Sequence, residues 1–361
     1  MSSGYQERQN VRTSQRAIFC SIAAQHDNLG DIAIRQTAIE WLGDDTRQMV
    51  IYTGAMPPSY VEAFNLPASA QLVSSSRKFA TKLLAACIRR NAHIVFAPGP
   101  FQLRPGRRSV SKSVVNLLNI IVVRLSGGHA LALGRAVRGT AQPVLAIERL
   151  SIRLMDLFVV RDLASADAVG RPLRSAPDMA FGQALATLPR TDRVFAAISL
   201  RGDRPVNLSL IETMLKKIRA ASLVPIFVTQ VMRDNDQHAL LAEKYGAQFC
   251  GWDNESHSEQ LLKVDAIYAQ SHTVVSDRLH SLIFALRRGV FPIGLERARS
   301  DKLSSTLGHL VPLALIDPEQ ESLPPHFALE TDETKRRSLI ELVARAQDAL
   351  HPIRNEARAL L

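Results

Sequence analysis

Two short stretches combine residue types that can hold an anion and move a proton: His26-Asp27-Asn28-Leu29-Gly30-Asp31 and Ser276-Asp277-Arg278-Leu279-His280. In each, an apolar run suited to a strand comes first and an amphipathic helix follows. Such a turn presents the unpaired N–H groups and partial positive charge of a helix start. Gly30 lets the backbone approach a ligand closely. Asn28 and Asp31 suit two roles, contact with a hydroxylated substrate and capping of the helix, and spacing alone favours the cap. Arg278 offers a planar guanidinium that grips carboxylate or phosphate through two parallel hydrogen bonds. A histidine placed like His280 is the side chain best suited to deliver a proton near neutral pH.

Other polar residues fall at expected strand ends: Arg201 after Ile198-Ser199-Leu200, Gln230 and Asp234 after Ile226–Thr229, and Arg161-Asp162 with Ser165 after Phe158–Val160. Lys302 follows the strand and loop beyond the His280 helix and adds a charge to an anion site. Singly, each has a bland reading as a surface charge or a helix start. Their shared placement gives them weight, because ligands of open α/β sheets bind outside the carboxyl ends of strands.

The elements that must hold these residues are short β-branched runs alternating with helical periodicity, the pattern of parallel sheets covered by helices. Strands are expected at Ala17–Ile22, Gln48–Tyr52, His93–Ala97, Val144–Ile147, Leu157–Val160, Val194–Ser199, Pro225–Thr229, Ala247–Cys250, Thr273–Ser276 and Val290–Gly294. Helices include Ile32–Leu42, Arg77–Arg90, Val110–Leu125, Asn207–Ala221, Leu279–Arg288 and Ser338–Ala349. Pro105–Arg108 reads as a loop over a cleft. Length favours two domains. We divide the chain into a tail at 1–16, domains at 17–185 and 186–330, and a helical segment at 331–361.

The charge of +10 arises from 44 Lys and Arg against 34 Asp and Glu, so the surface attracts anions. Basic residues are scattered, and no tract resembles a nucleic-acid arm. Cys20, Cys87 and Cys250 lack metal-ligand spacing and read as reduced core residues. No metal or cofactor is expected. With no export signal or membrane span, the expected location is the cytoplasm, with loose attachment to an anionic membrane face permitted.

In this order the motifs resemble the polysaccharide pyruvyl transferases. The elements are Asn28-Leu29-Gly30-Asp31, Arg161-Asp162-Leu163-Ala164-Ser165, Pro177-Asp178, Ile198-Ser199-Leu200-Arg201, Arg278-Leu279-His280 and Lys302. One element departs: Ala97-Pro98-Gly99-Pro100 stands where many members carry a Gly-rich turn, and its prolines lack N–H donors. The resemblance implies a GT-B-like fold of two doubly wound Rossmann-like domains facing across a cleft. It further implies phosphoenolpyruvate as co-substrate and a saccharide acceptor, often lipid-linked, with a pyruvate ketal and phosphate as products. On that reading His280 is the acid or a phosphate ligand, and Arg278 and Arg201 hold the donor's charges. Asn28, Gly30 and Asp31 serve the acceptor, with Lys302 and Gln230 lining the site. A nucleotide-sugar glycosyltransferase of the same architecture is the main alternative; against it, no Glu stands clearly after the His280 helix to grip a ribose, although Glu296 follows Pro292. A non-catalytic binder of anionic glycan or lipid surfaces is the second.

Overall fold

The computed structural model describes residues 16–43, 47–184, 192–204, 207–298, 302–324, 329 and 333–361. All but Arg16 of the expected tail lies outside the described residues, as do 185–191 at the expected domain boundary and 325–328 and 330–332 around the expected start of the helical segment.

In chain order the amino-terminal half runs β1 (Ala17–Ser21), α1 (Leu29–Leu42), β2 (Met49–Tyr52), α2 (Pro58–Glu62), β3 (Gln71–Val73), α3 (Ser76–Ile88), β4 (Ala92–Phe96) and β5 (Gly99–Gln102). It continues with α4 (Arg107–Leu125), β6 (Ala130–Arg138), α5 (Gln142–Leu154), β7 (Leu157–Val160), α6 (Leu163–Val169) and β8 (Arg174–Ser175). The carboxyl-terminal half runs β9 (Phe195–Ser199), α7 (Leu208–Ala220), β10 (Val224–Val228), α8 (Asn235–Tyr245), β11 (Gln248–Cys250), α9 (His257–Ala269) and β12 (Ser271–Ser276). It ends with α10 (Leu279–Arg287), β13 (Phe291–Leu295), α11 (Lys302–Leu307), β14 (Ala314–Ile316) and α12 (Glu333–Leu360).

These strands form two separate parallel sheets. Their orders are β3-β2-β1-β4-β6-β7-β8, with β5 also paired to β6, and β11-β10-β9-β12-β13-β14. In both, the order reverses beside the first strand, between β1 and β4 and between β9 and β12. Successive connections diverge there to opposite faces and leave a crevice at the strand ends. The fold is therefore the expected pair of Rossmann-like domains of GT-B type. Every loop singled out from the sequence leaves the carboxyl end of a strand.

Three local expectations need correction. Val144–Ile147 lies inside α5, not in a strand: Val144, Leu145, Glu148, Ser151 and Ile152 are buried at helical spacing, behind Pro143 in the first turn. The strand occupying that part of the sheet is β6, whose apolar run is broken by Gly134 at φ +61° and by a register shift against β7 between Ala132 and Arg135. Pro105–Arg108 is only partly a loop, since Arg107 begins α4.

Helix α12 extends well beyond Ser338–Ala349 at both ends and returns to the first domain. Its buried residues Leu339, Val343, Ala346, Leu350, Ile353 and Ala357 repeat every three or four positions and so make one stripe. Gln347 donates to the Phe181 carbonyl at 3.0 Å and Arg358 to that of Trp41 at 2.7 Å. The halves also meet at the crevice. Leu29 N–H donates to the Gln230 carbonyl at 3.1 Å, Met232 N–H donates to that of Asp27 at 2.8 Å, and Arg233 forks onto Asp27.

Candidate active site

The turn before α1 is built by its own side chains. Asn28 is the N-cap; its Oδ1 accepts from Gly30 N–H at 3.0 Å and its amide donates to Asp31 Oδ2 at 3.3 Å. Asp31 is buried and binds Arg35 Nη1, one turn on, at 2.9 Å. With Leu29 N–H bound to Gln230 and Asp31 N–H to the Asn28 carbonyl, three donors at this helix start are already occupied. The structure thus shows capping and domain contact here, and the open feature of the turn is Gly30. A β-carbon built on it would fall 1.9 Å from His280 Nδ1 and 2.6 Å from His280 Cβ. The imidazole from the second domain lies flat on the glycine of the first.

His280 is held there by α10, where Ser281 donates to Gln230 Oε1 at 2.7 Å. The N-cap of α10 is Arg278, and its guanidinium forks onto buried Asp234 at 2.9 and 2.6 Å. Arg201 forks in the same way onto Asp203 at 2.8 and 2.6 Å, while its N–H donates to Asp277 Oδ1 at 2.9 Å. Burial pushes the Asp277 carboxyl up, against the pull of Arg278 and Arg201.

Across the crevice the first domain contributes Arg161, at the end of β7, and Asp178. Arg161 Nη1 lies 2.7 Å from Asp178 Oδ2, and His280 Nε2 lies 3.8 Å from the same oxygen. That second distance is an electrostatic contact, too long for a hydrogen bond. Burial favours protonation of Asp178, yet Arg161, His280 and the Ala180 amide outweigh it and hold the carboxyl well below the usual range. The rest of the Arg161-Asp162-x-x-Ser165 element is scaffolding. Asp162 caps α6 and takes a bidentate ion pair from Arg138, and Ser165 receives Val137 N–H.

Lys302 opens α11 and completes the cluster. Burial pulls its ammonium down to about 8, reinforced by Arg161, Arg201 and Arg278 and opposed by Asp277. Among the described residues its ammonium has no hydrogen bond or ion pair. Three buried polar atoms nearby make no hydrogen bond: His280 Nε2, Arg161 Nε and Gln230 Nε2. Glu296 does not face a ligand; its carboxylate accepts from Leu303 and Ser304 N–H at 2.6 and 3.0 Å and fixes the start of α11.

The structure thus brings His280, Gly30, Arg278, Arg201, Gln230 and Lys302 to the facing strand ends, with Asn28 and Asp31 one layer behind. The sequence reading gave no site role to Arg161 or Asp178. Their signal was present in the Arg-Asp-x-x-Ser and Pro-Asp elements, but only the tertiary fold sets them opposite His280.

A cavity of about 440 Å³ opens in the first domain beside this cluster, lined by the ends of β1 and β4 and by α3 and α4. Tyr52, Phe79, Phe96 and Phe101 give it aromatic walls, and Asn116, Asn119, Arg35 and Arg135 supply polar groups. Arg135 stacks on Phe101, its guanidinium carbon 4.7 Å from the ring centre, and donates to the Ala97 carbonyl at 2.9 Å. Arg35 links the two regions, since it lines the cavity and binds Asp31. Aromatic content of 6% gave no hint of such a pocket, because these rings come from four separate elements.

The model of the family described as polysaccharide pyruvyl transferase matches residues 28–297. No curated relative matches the chain in sequence. Among solved structures, the chain is similar to a UDP-GlcNAc 2-epimerase from Neisseria meningitidis, with a TM-score of 0.52 at 9% identity over 95% of this chain and 94% of that one. It is also similar to a UDP-GlcNAc 2-epimerase from Methanocaldococcus jannaschii, with a TM-score of 0.51 at 11% identity over 92% of each chain. The calicheamicin glycosyltransferase CalG4 aligns with a TM-score of 0.50 at 12% identity over 96% of this chain and 98% of that one. At these identities the likeness carries the fold alone.

Proposed function

The chain belongs to the polysaccharide pyruvyl transferase family, and from that premise we propose that it moves the pyruvyl group of phosphoenolpyruvate onto a lipid-linked bacterial polysaccharide. Two hydroxyls of one sugar add to the pyruvyl carbon, forming a ketal. The carbon–oxygen bond to phosphate breaks. Of the two hydroxyl protons, one ends on the new methyl group and the other on phosphate.

The observation that carries the reading is Lys302, a half-buried ammonium without a hydrogen bond or ion pair among the described residues, set in the field of Arg161, Arg201 and Arg278. Four cations at facing strand ends suit a small donor bearing both carboxylate and phosphate. In the proposal His280 delivers the proton to the donor methylene through Nε2, the ring atom left without a hydrogen bond. Asp178 opposite stabilises the imidazolium. Arg278, Arg201 and Lys302 bind the anionic groups, and Gln230 contributes its free amide. The acceptor sugar lies in the aromatic cavity, with Asn28 and Asp31 between it and His280, Asp31 serving as the base.

Nucleotide-sugar chemistry is less well supported, because the carboxylate best placed by sequence to grip a ribose, Glu296, is taken up by α11. The test is acceptor-dependent phosphate release from phosphoenolpyruvate, compared with His280→Ala and Arg278→Ala. Release abolished in folded variants supports the proposal. Tight binding of a UDP-sugar, with no phosphoenolpyruvate turnover on any acceptor, sinks it.

A further inference from the structure

The charge of the chain is concentrated in one place. Of the 44 Lys and Arg, twelve lie in residues 63–147, which contain no Asp or Glu; the other 32 are matched against all 34 acids. The excess positive charge therefore belongs to this segment. Ten of the twelve cations fall between Arg77 and Arg124, on or beside α3 and α4.

Both helices pack on the same face of the first sheet. Leu83 and Cys87 of α3, with Ile120 and Val123 of α4, join one cluster with Phe19, Val50 and Ile94. Their outer faces thus lie side by side, and those faces carry aliphatic side chains. Leu84 and Ile88 repeat along α3, and Val114, Leu118 and Leu125 along α4. Leu125 at 81% and Ile88 at 76% are the most exposed large hydrophobic side chains among the described residues. Around them stand Arg77, Lys78, Lys82, Arg107 and Arg108, all exposed and without an ion pair among the described residues.

Aliphatic side chains standing in water within a field of unpaired cations match an interfacial helix pair, which buries its apolar face at the acyl boundary and sets its cations among anionic headgroups. No helix of the described residues is long and apolar enough to cross a membrane. Nucleic acid fits less well, since the exposed groups between the cations are aliphatic and offer no ring for a base to stack on. We propose that the α3–α4 face docks on an anionic lipid bilayer. The cavity described above is walled by the same two helices, through Phe79 and Ala80 of α3 and Lys112, Val115, Asn116 and Asn119 of α4. Docking therefore sets the mouth of the acceptor cavity at the headgroup layer, where a lipid-linked saccharide is presented. Its purpose rests on the acceptor reading above, whereas its evidence does not.

The test is co-sedimentation of the full chain with phosphatidylcholine vesicles, with and without phosphatidylglycerol. Binding is expected only to the anionic vesicles and weakens as salt rises. Each basic residue removed at Arg107 and Arg108 lowers partition about fivefold. Ile88→Ser with Leu118→Ser lowers it by at least about tenfold. None of these variants changes phosphate release with a water-soluble acceptor, so loss of docking and failure of the pyruvyl transferase reading are separable. Equal binding to neutral vesicles, absence of binding, or parental affinity in all the variants overturns the proposal. So does a concentration-dependent dimer abolished by Ile88→Ser with Leu118→Ser, which would assign the face to a second copy.

Discussion

Replacing Gly30 by alanine sets two local effects against each other, and the structure says which wins. Gly30 lies within α1 and its φ is not in the left-handed region, so helix propensity alone makes alanine better by about 0.5–1 kcal/mol. The new methyl would, however, lie 1.9 Å from His280 Nδ1, 2.3 Å from Cγ and 2.6 Å from Cβ. Overpacking of this kind costs about 1–3 kcal/mol. Because His280 Cβ is itself too close, rotating the imidazole gives only part of the relief. The cleft must open, which strains the Leu29–Gln230 contact. Gly30→Ala is therefore expected to destabilise the protein by about 1–2 kcal/mol, lowering Tm by a few degrees. If His280 acts as proposed, its displacement lowers kcat on the order of a hundredfold. In a His280→Gly background, where no β-carbon remains to strike, the same change is expected to stabilise by about 0.5–1 kcal/mol. Thermal unfolding of the four proteins forms a double-mutant cycle with a coupling of about 2 kcal/mol. An equal effect of Gly30→Ala in both backgrounds would refute the packing of these residues across the cleft.

Stabilisation by phosphoenolpyruvate in a thermal-shift assay should weaken as pH rises through about 8, where Lys302 loses its proton, and Lys302→Met should remove that dependence. In the free protein the lowered Lys302 pKa has the opposite sign. It costs stability fully below pH 8 and the cost fades toward the unfolded value, so Lys302→Met should raise Tm at pH 7 without ligand. Arg161→Met removes the nearest countercharge of buried Asp178 and should cost about 3 kcal/mol in denaturant unfolding, with Asp178→Asn recovering much of the loss. The stability supplied by that pair is present above the unfolded carboxyl pKa and is lost as pH falls through the depressed folded value. Glu296→Ala removes the acceptor for two N–H groups at the start of α11. It should lower stability by about 1 kcal/mol and raise KM for the donor more than it changes kcat.

Much of the frame was legible because parallel sheets announce themselves. β1, β9 and β10 are buried along most of their length and read as nearly continuous apolar runs, while β4 and β12 carry shorter apolar stretches at Ile94–Phe96 and Val274–Val275. Their loops could be placed at strand ends from sequence alone. β6 was hidden for a physical reason. It carries Arg135 and Arg138 toward a ring and a carboxylate within the fold, and its bulge spoils the pattern at Gly134. α5 was misread because Val144–Ile147 is a short apolar run in which strand and helix look alike. The Asn28 and Asp31 side chains show the limit of motif reading, for a motif fixes which residues recur and not what they touch. Here their contacts are to their own helix. The cavity was invisible for another reason, since its walls are contributed by residues from Phe19 to Arg135 that no local window spans.

The pairing pattern of the cluster explains how it can be strongly basic and still ready for an anion. Arg161, Arg201 and Arg278 each face their own carboxylate, on Asp178, Asp203 and Asp234. Those pairs hold the guanidinium planes in place before any ligand arrives, so little reorganisation is left for the reacting state. They also leave each arginine with donors to spare, because a fork onto one carboxylate uses only part of its five N–H groups. Lys302 has no such partner; burial lowers its pKa first, and the three arginines lower it further through the same field that would attract a ligand. On the proposed function a doubly anionic donor reverses that balance, supplying countercharge and raising the pKa of Lys302 again. Had an aspartate neutralised Lys302, the donor would have to compete with it for the ammonium, and binding would gain little from the cluster. The unpaired lysine lowers the stability of the free protein. In return the cluster suits a ligand with more than one negative charge.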